Sequence, residues 1–267
     1  SALAGTTAIT TIPSATITTR IATGGAFPYS VVTNTALPNG MFIANDGRII
    51  GVASAPGTYP YDYSITDAVG TVVQAKGTLT VVAPTATSLA LSASGTSVTT
   101  TTTVTVTATS TPAVSGASVT FYDGTTAIAT AVTSATGVAT LKKTFSAGSH
   151  SVTAIMAASG TYAGSTAPAV TITSIQSTSL TLKASTTSTT KGTAITLTGT
   201  LSVKVSGLTI VFSDGSGQIG TATTNTSGVA TLSYAWQTSG TKAVKANFAG
   251  SGYYGASSSG TVSISVQ

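Results

Sequence analysis

The residues able to do chemistry are few. His150 is the only histidine, cysteine and glutamate are absent, and the carboxylates are Asp46, Asp62, Asp67, Asp123 and Asp214. Catalysis by a Ser-His-Asp set needs a base oriented by a third group. His150 is the one candidate for that base, but an internal repeat described below places Lys242 at the equivalent position. A position that holds His in one copy and Lys in the other predicts an exposed strand residue, not a catalytic one. Paired-carboxylate hydrolysis needs two carboxyls at a set separation. Asp62 and Asp67 are close in sequence, whereas Asp123 and Asp214 each precede a glycine and read as turn residues.

A calcium ion asks for about six to eight oxygens, often from clustered carboxylates. No Asp-x-Asp cluster occurs, so Asp46, Asp62 and Asp67 are expected to cap turns. Without cysteine there is no disulfide, thiolate or cysteine–zinc site. These readings predict a chain that is no enzyme, with no cofactor and no metal. Asn225-Thr-Ser227 fits the N-glycosylation acceptor pattern, which a chain so rich in Ser and Thr meets easily by chance.

Aromatic residues offer a second kind of site. Tyr59, Tyr61 and Tyr63 alternate with Pro60 and Asp62, which puts the three rings on one face of a strand. Facing outward they would form a contact surface, since Tyr joins an apolar body to a polar tip; inward packing is the favoured alternative. Tyr253-Tyr254 puts at least one ring outward. Tyr59, Tyr61, Tyr63, Tyr253 and Tyr254 are therefore the candidate contact residues. Phe145 and Trp236 occupy equivalent places in the repeat and are expected in the core.

The elements that position these residues read as strands. Charged residues make up 6% of the 267, hydrophobic ones 41%, and the mean hydropathy is +0.41. Disordered segments combine low hydrophobicity with high net charge, so disorder is not expected. Val and Thr fit a pleated surface, and no window sustains a 3.6-residue apolar period. The net charge of +5 is scattered, with only Lys142-Lys143 adjacent, so no nucleic-acid-binding face is expected. No run of about 20 apolar residues exists to span a membrane as a helix.

An internal duplication dominates the second part of the chain. Thr87-Ser-Leu89 recurs as Thr178-Ser-Leu180, Phe121-Tyr-Asp-Gly124 as Phe212-Ser-Asp-Gly215, and Gly137-Val-Ala-Thr-Leu141 unchanged as Gly228-Val-Ala-Thr-Leu232, each shifted by 91 residues (from 89 to 180, for example). After one inserted residue, Gly148-Ser-His-Ser-Val-Thr-Ala154 matches Gly240-Thr-Lys-Ala-Val-Lys-Ala246. Val104-Thr-Val-Thr-Ala108 and Ile195-Thr-Leu-Thr-Gly199 alternate as half-buried strands, and Asp-Gly marks hairpin turns. The fold class expected is all-β: three tandem immunoglobulin-like antiparallel β-sandwiches over 1–83, 84–176 and 177–267. Short linkers at 83–85 and about 175–178 predict an extended or gently bent rod.

The duplicated domains resemble bacterial Ig-like repeats. The residues that carry this are Phe121 to Gly124, Gly137 to Leu141 and Gly160-Thr-Tyr162, and Phe212 to Gly215, Gly228 to Leu232 and Gly252-Tyr-Tyr254. The first domain is similar to the cadherin-like Ig module of bacterial surface and phage proteins, through Gly24-Gly-Ala-Phe-Pro-Tyr29, Leu37-Pro-Asn-Gly-Met41, Asp46-Gly47, Pro56-Gly-Thr-Tyr59 and Ile65-Thr-Asp67. It departs from that family at Gly51-Val-Ala53, where Gly-x-Pro is usual.

These resemblances imply a non-catalytic structural or adhesive protein on a phage virion or a bacterial cell surface, extracellular and present in many copies. No anchor or sorting motif is visible at the C-terminus, so the expected partners are capsid, tail or filament subunits held by non-covalent docking. Strand addition at a sheet edge is one route, and residues 1–20 read as an ordinary first strand or as a donated one. The alternative is a secreted carbohydrate-binding module that meets cell-surface glycans.

Overall fold

Two-residue alternation in the sequence becomes two facing sheets in each domain. The computed structural model describes residues 4–5, 8–11 and 16–267, and every element among them is a strand. In the second domain, Ser88–Ala93, Val104–Thr111 and Val138–Lys143 form one sheet. The other is built on Ser97–Thr99, Val170–Ile175, Gly148–Met156, Ser118–Asp123 and Thr126–Val132, in that order. Val104, Val106 and Ala108 point inward from the first sheet and meet Val119, Phe121, Val152 and Ala154 from the second. The third domain repeats the plan, with Leu197, Ile210, Phe212, Val244 and Ala246 in its core. Full burial of Phe121 and Phe212 stabilises by about 2–3 kcal/mol each relative to exposure.

The expected Asp-Gly hairpins are present. Asp123 pairs with Thr126 around Gly124 (φ +58°), and Asp214 pairs with Gly217. Gly137 and Gly228 have φ near +75° and lead into their strands as the sequence suggests. The pairing is not wholly antiparallel. In the duplicated domains the first strand divides: Ser88–Ala93 pairs antiparallel with Val104–Thr111, and Ser97–Thr99 then crosses to pair parallel with Val170–Ile175. Ser188–Thr189 does the same against Val262–Val266. One chain segment thereby closes an edge of both sheets and leaves less unpaired backbone.

In the first domain, Gly57–Thr66 and Val72–Val81 form a long hairpin flanked by Ser30–Thr33 and, in parallel, Ala8–Thr11. Thr16–Arg20, Arg48–Val52 and Met41–Ile43 make the opposing sheet. Ala4–Gly5 pairs with Ala22–Thr23, so the described residues of the segment 1–20 pair within their own domain. Gly51, at the departure from the family pattern, lies inside the strand Arg48–Val52. Ile21, Ile49, Tyr61, Tyr63, Ile65 and Leu79 form the core.

Candidate functional site

The tyrosine row does not form a surface. Tyr61 and Tyr63 are buried, their rings stacked 6.1 Å apart within the core. Burial also pushes the Tyr63 hydroxyl up to about 12. These two are corrected from contact candidates to core residues. The alternation put the rings on one face as read, and that face is the inner one. Tyr59 is half-buried, and its hydroxyl donates to the Ala55 carbonyl (3.2 Å). Tyr253 is exposed and Tyr254 half-buried. Phe145 and Trp236 are buried in their respective cores.

His150 is also corrected. It is not an exposed strand residue: its ring packs on Phe145 (centroids 4.9 Å) and its side chain is only 13% exposed. Nδ1 lies 2.6 Å from Asp123 Oδ2 and Nε2 lies 2.9 Å from the Ser146 carbonyl. Both partners accept, so both ring nitrogens must donate, and the protonated imidazole fits the site. In the other copy Trp236 donates its indole N–H to Asp214 Oδ2 (2.8 Å), while Lys242 turns to Thr238. Asp123 and Asp214 thus occupy equivalent turns, and each takes a ring N–H donor, His150 or Trp236; Asp214 also accepts from the Ser216 hydroxyl. Phe145 cannot donate, so His150 supplies the bond that Trp236 supplies in the third domain. The Asp–His pair is structural, and its Nε2 is occupied by a backbone carbonyl.

The remaining carboxylates are separately engaged. Asp46 pairs with Arg48 (2.7 Å), and Asp62 with Lys76 (3.0 Å) and Asn34 (3.2 Å). No group of three or more potential metal ligands occurs among the described residues. The Asn225 side chain accepts from the Ser227 and Val229 amides and so caps its own turn.

Asp67 builds something larger. Its carboxylate accepts from the amides of Ala26 (3.2 Å), Val69 (3.1 Å) and Thr71 (2.8 Å). Burial raises its pKa, but hydrogen bonds from Thr71, Ala26 and Val69 outweigh this and hold it below the ordinary value. The Ala68 amide donates to the Ala26 carbonyl (2.9 Å), which ties the 67–71 turn to the 24–28 loop. Gly25 (φ +69°) sits so close that a Cβ there would lie 2.7 Å from Asp67 Oδ2. Tyr29, buried, donates its hydroxyl to the Gly24 carbonyl and meets the Phe27 ring in a T-shaped contact (6.0 Å, 81°). Its amide binds the Asn45 carbonyl (3.2 Å), bringing the 44–47 turn to the same end.

On this platform Phe27 is 67% exposed and Val69 75%, with Val72 beside them at the start of the next strand, 61% exposed. Thr66 pairs with Val72 at this end of the hairpin and Gly57 with Val81 at the other, where the chain leaves for the second domain. Ten residues of strand put the apolar loops roughly 30 Å from that exit. Seven of the ten exposed large hydrophobic residues among those described belong to this first domain. Exposed apolar residues gathered on loops that are tied together commonly mark an interaction site. The sequence reading missed these residues. Asp67-Ala-Val-Gly70 was legible as a turn, but its tie to the loop 41 residues away was not.

Comparison with known proteins places the chain. Residues 91–174 and 181–267 match the family model "Bacterial Ig-like domain (group 3)", and residues 1–82 match "Putative Ig domain". The chain belongs to the bacterial Ig-like domain family, with a distinct Ig domain leading the duplicated pair. No curated protein matches it.

Solved structures similar to it include the tetra-tandem repeat in the extending region of a large adhesion protein (20% identity, 92% of this chain and 69% of that one, TM-score 0.47). Others are FdeC, an Escherichia coli adhesin (19% identity, 96% and 93%, TM-score 0.37), and a 1.5-MDa bacterial ice-binding adhesin (15% identity, 92% and 88%, TM-score 0.34). Those likenesses concern the fold and say nothing of a partner.

Proposed function

We propose that the chain is a non-catalytic structural or adhesive module of an extracellular surface, bacterial or virion, and that the end of its first domain away from the duplicated pair makes the contact. The observation that carries this reading is the exposed Phe27 and Val69 on loops clamped by Asp67, with Val72 at the start of the next strand, at the end away from the tandem repeat. A rigid apolar tip binds with less ordering cost than a mobile one. The partner is a protein surface met by non-covalent docking, and the duplicated pair serves as its stalk. The glycan reading loses two of its aromatic candidates to the core, Tyr61 and Tyr63.

The test is cosedimentation of the full chain with washed envelopes of the producing bacterium and, separately, with virions released from it. Binding to one of the two, reduced about tenfold or more by Phe27→Ser with Val69→Ser, is expected. Both are exposed, so the fold should persist in the variant, as checked by circular dichroism. Equal binding by the variant, or none by the wild type, would overturn the proposal.

A further inference from the structure

The Gly-x-Tyr segment that marks each duplicated domain has a structural partner that lies outside the repeat core. In the second domain Ser159 and Tyr162 exchange two backbone hydrogen bonds (3.1 and 3.0 Å) around Gly160 (φ +56°). In the third, Ser251 and Tyr254 do the same (3.1 and 3.0 Å) around Gly252 (φ +58°). Tyr162 and Tyr254 pack against the cores of their own domains, which fixes each small hairpin to its sandwich.

The outer rim of each hairpin takes one residue of the incoming linker, in parallel. Thr85 donates to the Thr161 carbonyl (2.7 Å) and accepts from the Ala163 amide (2.9 Å). Gln176 donates to the Tyr253 carbonyl (2.8 Å) and accepts from the Gly255 amide (2.9 Å). Two residues further on, the Thr87 hydroxyl donates to the Ala163 carbonyl (2.8 Å) and the Thr178 hydroxyl to the Gly255 carbonyl (2.7 Å). Three hydrogen bonds thus recur at equivalent positions in both copies.

We infer that the Gly-x-Tyr hairpin is a joint lock, which holds the linker of the preceding domain and fixes how successive domains are joined. The two joints differ in slack. Ile175 is still bonded to the second domain, through the Thr100 amide (3.1 Å), and the next residue, Gln176, is already bonded to the third. No unpaired residue separates them. At the earlier joint Val82 is bonded to Thr11 (2.8 Å), and Ala83 and Pro84 intervene before Thr85. The second joint is therefore stiffer than the first. This inference stands apart from the contact made by the tip and survives its failure.

The chain has no cysteine, so paired spin labels can be placed without removing any native residue of that type. Thr140→Cys with Thr231→Cys, exposed at equivalent positions, spans the second joint, and Gln74→Cys with Thr140→Cys spans the first. Pulsed dipolar spectroscopy on the full chain should give a narrow distance distribution across the second joint and a wider one across the first.

Gln176→Pro removes the donor to Tyr253 while suiting the extended Ile175 before it, and should broaden the second distribution at least twofold. Gln176→Ala keeps the backbone bonds and should leave it narrow. Trp236 fluorescence checks that the third domain stays folded in each variant. A wild-type distribution already as broad as that of Gln176→Pro, or equal broadening by Gln176→Ala, would overturn the inference.

Discussion

At the scale of single residues, the duplicated Asp123 and Asp214 show how one turn accepts two chemistries. His150 in one copy and Trp236 in the other deliver a donor to the same carboxylate position. The consequence is a histidine-linked pH response that belongs to the second domain. Burial pulls the His150 pKa down, but bonds to the Ser146 carbonyl and Asp123, with the charge of Asp123, outweigh that and the repulsion of Lys143, and the net shift is upward.

A folded pKa raised above the unfolded value of about 6.5 means stabilisation that is complete below that pH and is lost as pH rises through the folded value. With one histidine in the chain, a single imidazole titrates in the NMR spectrum. Its midpoint should lie above about 6.5 and move down in Asp123→Asn, while the unfolding temperature of the second domain falls as pH rises through that midpoint. A midpoint at or below the ordinary value, unmoved by Asp123→Asn, would contradict the pairing.

At the scale of elements, glycines that begin strands test whether the two copies are built alike. A Cβ on Gly137 would lie 2.5 Å from Ser110 Oγ and 2.8 Å from Ala113 Cα, and one on Gly228 2.4 Å from the Val203 carbonyl. Left-handed backbone alone costs a non-glycine residue roughly 1–3 kcal/mol, so each Gly→Ala change should destabilise its own domain by at least about 2 kcal/mol. The sole tryptophan reports on the third domain. Gly228→Ala should lower the midpoint of its fluorescence transition and Gly137→Ala should move it little; equal shifts would mean that the domains unfold as one.

Strand pattern, hairpins and duplication were legible because each depends on neighbours in sequence. What was hidden depends on distant pairing. Alternation placed Tyr59, Tyr61 and Tyr63 on one face but could not say which face the opposing sheet would cover. His150 read as exposed because its partner Asp123 lies 27 residues away. The Gly-x-Tyr segment read as a family mark because its linker partner is 77 residues earlier in one copy (Thr85 to Tyr162) and 78 in the other (Gln176 to Tyr254).

At the scale of the molecule, chemistry is sparse and surface is plentiful. Charges are few, each described carboxylate has a structural partner, and the exposed apolar residues concentrate in the first domain. Surface ion pairs such as Arg48–Asp46 contribute little to stability, about 0–1 kcal/mol each, so the sandwiches are held by their cores. The proposed division of labour follows: the first domain offers the contact surface, and two copies of another domain carry it through locked joints.

Hydrogen exchange of the full chain, with and without the envelope or virion preparation that sediments it, locates the contact most directly. The account predicts slowed exchange in the 24–28, 44–47 and 67–71 loops, with the duplicated domains unchanged. Protection centred on residues 84–267, or protection of the tip that persists in Phe27→Ser with Val69→Ser, would contradict it.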